Sequence, residues 1–178
     1  MRLTALAASL FLAAPALADG HVAEDLAAVV TVSMSGTILD RDGNNIGSIS
    51  VLGTESGVTL INVAAIDMEP GAYGIHLHET GVCEGDFSSA GGHIAGDANH
   101  GFVAGGPHPG DLPNGFVSEG ATALNYQAYN ERISFDDHLL DADGAALIIH
   151  GGPDDHVSQP GGDAGDRIAC AVLTEAPG

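Results

Sequence analysis

The chain has 178 residues, a length that suits one domain, and 44% of its residues are hydrophobic, enough for a core. Four arginines and no lysine stand against 24 acidic residues, which gives a formal net charge of −20. A surface this acidic excludes functions that depend on binding nucleic-acid phosphates or anionic membranes.

The first 18 residues predict a signal peptide. Arg2 forms a one-charge basic region, Leu3–Leu12 is an apolar run, and Ala16-Leu17-Ala18 is an A-x-A cleavage site. A membrane anchor is the alternative, but the apolar run is shorter than the ~20 residues that a membrane-spanning helix needs. We therefore expect an exported mature domain of residues 19–178, located in the periplasm or outside the cell.

Short runs of β-forming residues alternate with turn residues along the mature chain. The predicted strands are 29–38, 46–52, 58–66, 73–78, 120–124, 133–135, 145–150 and 167–174. No segment shows a sustained amphipathic helical pattern, so the chain is predicted to be an all-β sandwich or barrel. The stretches 79–115 and 151–166 lack the strand pattern, and loops of that length in a compact domain are usually functional or disordered.

The chain contains two cysteines, which lie far apart in the sequence. Cys83 lies in the first long loop and Cys170 in the last apolar run. An even number of cysteines in an exported chain favours a disulfide over two buried thiols. Such a bond would tie the first long loop to the final strand.

Four histidines predict a copper site. His76 and His78 are two residues apart on a predicted strand, so alternation places them on one face, where they could bind one metal. His150 ends another predicted strand and could complete the site. Together with His93 they supply four imidazoles, a set suited to Cu(II). Taken alone, His76 and His78 could equally be surface histidines beside a sheet.

A second set of ligands lies within the first long loop. It comprises His93, His100, His108 and Asp111. Three imidazoles and one carboxylate make a closed tetrahedral set of the kind that structural zinc prefers. The alternative is free histidines in a glycine-rich loop that would have little else to order it. We therefore predict one copper ion and one zinc ion per subunit.

Five short motifs contain these ligands, in the order His-x-His (76–78), Ala-Gly-Gly-His (90–93), Pro-His-x-Gly-Asp-Leu-Pro (107–113), His-x-x-Pro-Asp (150–154) and Arg-x-Ala-Cys (167–170). Together they resemble the copper–zinc superoxide dismutase family in its bacterial exported form, over roughly residues 29–173. The resemblance implies a Greek-key β-barrel of about eight antiparallel strands, with the two long loops folded over one side.

The resemblance also implies roles for individual residues. His93 would belong to both ligand sets as a bridging imidazolate and would give a proton to the departing peroxide. Arg167 would guide the superoxide anion, because a guanidinium is always charged and offers paired donors; a structural arginine is the alternative. Asp154 would accept hydrogen bonds from the outer nitrogens of His76 and His100 and so fix both rings.

The implied activity is superoxide dismutation, which converts two superoxide anions and two protons to dioxygen and hydrogen peroxide by alternate reduction and reoxidation of copper. The alternative is a periplasmic protein that buffers or delivers copper, which would need the histidines but not Arg167. A non-catalytic module of the same fold would be expected to lack ligands, and this chain lacks none. Both a monomer and a homodimer remain open.

Cleavage after Ala18 would leave Asp19-Gly20-His21 at the mature N-terminus. A free amine, two amides and a third-position histidine can chelate Cu(II), although an accidental histidine is the interpretation we favour. His138 and His156 have no assigned partner and are interpreted as surface residues.

Overall fold

The computed structural model of the chain describes Leu26 and residues 28–176. The predicted signal peptide, residues 1–18, and the residues that could form an N-terminal copper chelate, Asp19-Gly20-His21, lie outside the described residues. Within the described part of the chain, no helix is both long enough and apolar enough to cross a membrane.

The described residues form ten strands and two short helical segments. In chain order the strands are β1 (Val30–Asp40), β2 (Asn45–Thr54), β3 (Thr59–Ile66), β4 (Gly71–Tyr73), β5 (Ile75–His78), β6 (Gly115–Val117), β7 (Ala123–Asn130), β8 (Ala146–His150), β9 (Arg167–Val172) and β10 (Thr174–Glu175). A 3₁₀-helix spans Ser88–Ala90 and an α-helix spans Phe135–His138.

Seven strands pair in one curled sheet in the order β5-β8-β9-β1-β2-β3-β7, and β10 pairs with β1. Every pairing is antiparallel. A separate ladder of β4 and β6 lies near both edges of this sheet, because β6 packs against β7 and only Gly74 separates β4 from β5. The predicted all-β antiparallel barrel fold is confirmed. The first long loop ends at residue 114 rather than 115, because Gly115 begins β6, and the second spans 151–166 as predicted.

Three local predictions were wrong. The strand predicted at 120–124 begins three residues later, as β7 at Ala123–Asn130, because Glu119 and Gly120 form a turn in which Gly120 has a φ of 78°. The segment predicted as the strand Ile133–Phe135 instead leads into the α-helix, because the Ser134 side chain caps it by accepting a hydrogen bond from the Asp137 amide at 3.2 Å. The single predicted strand 73–78 is divided at Gly74, where a Cβ atom would lie 2.8 Å from the Cβ of Ala164. A turn, local capping and close packing against the second long loop decide these three cases.

Alternation along the strands sorts side chains between two faces. On β5, Ile75 and Leu77 point into the main core, and His76 and His78 point to the opposite face. On the same face, Ala146 and Ile148 of β8 and Cys170 of β9 lie beside the histidines. Phe87 and Ala90 of the first long loop pack over them and form a smaller buried cluster. The first long loop therefore folds over the outside of the barrel, on the side that carries the histidines.

The predicted disulfide between Cys83 and Cys170 is confirmed. It joins the first long loop to β9 across 87 residues of sequence, with the two Cα atoms 5.9 Å apart. Cys170 is fully buried in the smaller cluster. The bond therefore fixes the loop to the barrel beside the histidine-bearing face.

Replacing both cysteines, with Cys83→Ser and Cys170→Ser, should destabilise the fold. Closing a loop of this length stabilises a protein by about 4–5 kcal/mol in the chain-entropy model, because the unfolded chain loses freedom. Urea denaturation of the metal-free protein under non-reducing conditions measures the difference. Equal midpoints for the oxidised wild type and the double variant would show that the crosslink contributes nothing.

Candidate metal centre

Four buried histidines converge on the outer face of the barrel. His76 and His78 come from β5 and His150 from the end of β8, while a single β-bridge to His78 brings His93 of the first long loop alongside. One ligand atom from each of the four lies within 4.8 Å of the others. We call these four residues the first group.

Three rings of the first group share one hydrogen-bonding pattern, in which one ring nitrogen has an oxygen partner and the other has none. For His76, His78 and His150 the partners are an Asp154 carboxylate oxygen at 2.8 Å, the Gly91 carbonyl at 3.0 Å and the Gly165 carbonyl at 3.1 Å, in that order. The opposite nitrogens are buried without a partner among the described residues. Orphaned buried nitrogens are costly, and clustered imidazole lone pairs fit a metal such as copper.

The environment keeps these imidazoles neutral. Burial lowers the pKa of His76 to about 3 and that of His78 to about 2, and the neighbouring imidazoles lower both further. Burial also lowers the pKa of His150. A neutral imidazole keeps the lone pair that a metal ion needs, so burial prepares the group for metal binding.

A second group of buried ligands lies beside the first and shares His93 with it. The Nδ1 atoms of His93, His100 and His108 lie 2.9, 3.1 and 3.1 Å from one carboxylate oxygen of Asp111. Ligand atoms of all four residues lie within 4.8 Å of one another. Because the His93 Nδ1 faces Asp111, its Nε2 is the atom left for the first group. Three imidazoles and a carboxylate fit a closed zinc site.

Asp111 is kept ionised by its hydrogen bonds. Burial raises its pKa, but hydrogen bonds from the His93 ring and the Gly101 amide outweigh burial, and the net pKa lies well below the usual range. The loop around it is held from outside by Arg132, whose guanidinium donates to the carbonyls of His108 and Asp111 at 3.2 and 3.1 Å. The carboxylate is therefore both charged and fixed in place.

Asp154 connects the two groups. One of its oxygens accepts a hydrogen bond from His76 Nε2 at 2.8 Å, and the other accepts one from His100 Nε2 at 2.9 Å. Burial raises the pKa of Asp154, but these hydrogen bonds lower it by more, and the net pKa lies below the usual range. The residue is therefore a carboxylate. Gly162 is necessary beside it, because a Cβ there would lie 1.8 Å from the carboxylate.

Arg167, at the start of β9, lies next to the first group. Its guanidinium donates to the carbonyls of Phe87 and Gly91, each at 2.6 Å. The Gly91 carbonyl also accepts the hydrogen bond from His78. The remaining guanidinium N–H groups have no acceptor among the described residues, so they are free to bind a small anion.

Sequence reasoning missed several residues that support this arrangement. Gln159 holds His100 through both backbone groups, at 2.8 Å to its amide and 2.9 Å to its carbonyl. His156 is not a simple surface residue, because it contacts Asp154 through its backbone amide and its ring. Asn114 hydrogen-bonds the backbone of Asp154 at both N–H and C=O. No motif marks these residues, since each acts across a loop–loop contact.

The metal-free protein should lose stability as the pH falls below about 6.5, the ordinary pKa of histidine. Folded His76 and His78 stay neutral down to pH of about 3 and 2, whereas their unfolded forms bind protons near 6.5. Within that window the unfolded state binds more protons than the folded state. Each ring therefore lowers the free energy of unfolding by about 1.4 kcal/mol for every unit by which the pH falls. Urea denaturation at a series of pH values tests this, and a flat profile from neutral pH to about pH 5 would contradict it.

Comparison with known proteins agrees with this geometry. The family model for copper/zinc superoxide dismutase matches residues 46–173. The copper–zinc superoxide dismutase of Caulobacter vibrioides is 36% identical over 149 residues, which cover 79% of this chain and 85% of that protein. Copper–zinc superoxide dismutase 1 of Aquifex aeolicus is 39% identical over 144 residues, covering 76% and 84%.

A solved structure shares the fold as well. The crystal structure of a superoxide dismutase-like protein from Bacillus subtilis superposes with a TM-score of 0.73 at 32% identity, covering 79% of this chain and 97% of that one. The family model spans most of the chain, from β2 to the end of β9. The chain belongs to the copper/zinc superoxide dismutase family, a family of oxidoreductases.

Proposed function

We propose that this protein catalyses the dismutation of superoxide, in which two superoxide anions and two protons become dioxygen and hydrogen peroxide. The observation that carries the proposal is the sharing of His93 between two buried ligand groups, with Arg167 beside the first. Membership of the copper/zinc superoxide dismutase family supports the same reaction.

The first group is proposed to hold copper and the second to hold zinc. Copper, when bound there, supplies the one-electron acceptor and donor that dismutation requires, and zinc supplies a fixed positive charge next to His93. The orphaned nitrogens of His76, His78 and His150 fit the copper assignment. The three imidazoles around the Asp111 carboxylate fit the zinc assignment.

The protein's own residues then bind the substrate and move the proton. Arg167 is held by two carbonyls, so its free N–H groups have a fixed direction in which to bind and orient superoxide. His93 takes up a proton at Nε2 in one half of the cycle and gives it to the departing peroxide in the other. Asp154 fixes the tautomer of His76, so the lone pair of that ring stays available.

The proposed location is the periplasm, with superoxide as the small-molecule substrate. The signal-like composition of residues 1–18 supports export. The Cys83–Cys170 disulfide supports an oxidising compartment.

The activity is tested with signal-free protein loaded with copper and zinc, by following the decay of superoxide. We expect rapid, copper-dependent decay. Arg167→Gln should lower kcat/KM by about tenfold or more, because the charge that draws in the anion is lost. The kcat/KM of Arg167→Lys should lie between those of the wild type and Arg167→Gln, since lysine keeps the charge but loses the paired donors. If the protein binds both metals but superoxide decays no faster with it than with free copper, the protein is instead a copper buffer or carrier.

Salt should raise the rate or leave it unchanged. The formal net charge of −20 repels superoxide. Burial lowers the pKa of Arg167, and the negative charge of Asp86 raises it, so an acidic group also acts on this arginine. Screening at physiological ionic strength acts over about 8 Å, so added salt weakens the repulsion from the rest of the surface. Measuring kcat/KM from low to physiological ionic strength tests this. A steep fall with salt would show that a local positive potential at Arg167 dominates.

A further inference from the structure

His156 has a backbone conformation that few residues with side chains adopt. Its φ of 59° lies in the left-handed region. This conformation places its amide 2.6 Å from one oxygen of Asp154, while its carbonyl accepts from the Phe102 amide at 2.8 Å. A strained conformation persists only where its surroundings enforce it, and such residues concentrate at functional sites.

The ring of His156 is oriented by two neighbours. The Asp154 amide donates to Asn114 Oδ1 at 2.8 Å, which makes Asn114 Nδ2 the donor that lies 3.2 Å from His156 Nε2. A neutral ring that accepts at Nε2 carries its proton on Nδ1, which lies 3.3 Å from the second oxygen of Asp154. The ring also stacks on Phe102, with centroids 4.7 Å apart and planes inclined by 29°.

Each oxygen of Asp154 therefore contacts His156 as well as one metal-group histidine. One oxygen contacts His100 Nε2 and the His156 amide, and the other contacts His76 Nε2 and the His156 ring. A rotation of the carboxylate would disturb all four contacts together. Asn114 and Phe102 belong to the first long loop and His156 to the second, so the same contacts also join the two loops.

We propose that His156, oriented by Asn114 and Phe102, is a positioning residue that holds the Asp154 carboxylate in the orientation that His76 and His100 require. The inference rests on the proposed function, because it takes the two ligand groups as the copper and zinc sites. His156 belongs to neither ligand group. It acts through Asp154, on both sites together.

Loss of the His156 ring should change how long zinc is retained and how Cu(II) is coordinated. Without the His156 ring, Asp154 can rotate, and His76 and His100 lose the partner that fixes their tautomers and ring planes. Zinc should then leave faster, and the Cu(II) coordination should distort. The barrel itself should be unaffected, because His156 lies in a loop outside the main core.

The main test variant is His156→Asn, because asparagine tolerates a left-handed backbone and removes the ring without adding strain. Asn114→Ala is the second variant, since it keeps the ring but removes its orienting partner. It also removes two hydrogen bonds to the Asp154 backbone, so only a wild-type result from this variant bears on the ring alone. His138→Asn is the matched control, because His138 belongs to neither ligand group and, within the described part of the chain, its ring accepts a hydrogen bond only from the Ser134 amide. Asp154→Asn serves as the reference for complete loss of the link.

Two measurements on the signal-free protein loaded with copper and zinc report on the sites independently of activity. One is the rate of zinc release to a chromogenic chelator, and the other is the Cu(II) electron paramagnetic resonance spectrum. Loss of a direct partner of a metal-bound histidine typically costs about 10–100-fold in metal affinity, so we expect that range for Asp154→Asn and about three- to tenfold faster release for His156→Asn. Asn114→Ala should change in the same direction, and His138→Asn should match the wild type.

The outcomes separate this inference from the proposed function. Wild-type zinc release and a wild-type Cu(II) spectrum in both His156→Asn and Asn114→Ala would overturn the positioning role alone. A wild-type protein that binds neither metal in the two groups would overturn the proposed function itself. If His156→Asn does not fold, as judged by its melting temperature without metal, Phe102→Leu takes its place. That variant keeps the His156 ring and the backbone bond to its carbonyl and removes only the ring stacked on it, so wild-type zinc release would overturn the positioning role.

Discussion

The packing of six imidazoles out of water beside one another is the constraint on which the rest of this structure depends. A buried imidazole needs a partner for each nitrogen, because an unsatisfied polar atom in a protein interior is costly. Here His76, His78 and His150 each have an oxygen partner for one nitrogen and an orphaned nitrogen on the other side. The partners are a carboxylate and two backbone carbonyls, none of which can donate a proton. They therefore fix one tautomer of each ring and leave the lone pairs for a metal ion.

The barrel provides rigidity and the loops provide most of the partners. Strand alternation places His76 and His78 on the outer face of β5, and the disulfide fixes the first long loop over that face. The described arginines serve the same purpose, since Arg41, Arg132 and Arg167 all donate to backbone carbonyls: Arg41 to that of Arg167, the other two to carbonyls of the first long loop. In a chain so rich in acids, the few cations are used to fix backbone around the ligand groups.

Much of the site could be predicted because its chemistry is local in sequence. His76 and His78 lie at strand spacing, and His93, His100, His108 and Asp111 lie within one loop, so residue type and spacing already indicate ligand sets. The errors have local causes of a different kind. Capping by Ser134 produced a helix where β-forming residues predicted a strand. Close packing at Gly74 divided another strand.

The sequence by itself determined the all-β class, the two long loops, the ligand types and the cysteine pair, because each depends on composition, alternation or short spacing. Only the tertiary structure decided which nitrogen of each ring is orphaned, how Asp154 contacts both groups, and which residues surround that carboxylate. His156 carries no recognisable motif, and its contacts with Asp154 and Phe102 appear only once the second loop folds against the first. Such contacts join residues far apart in sequence, and no local pattern records them, because they depend on how the barrel brings the two loops together.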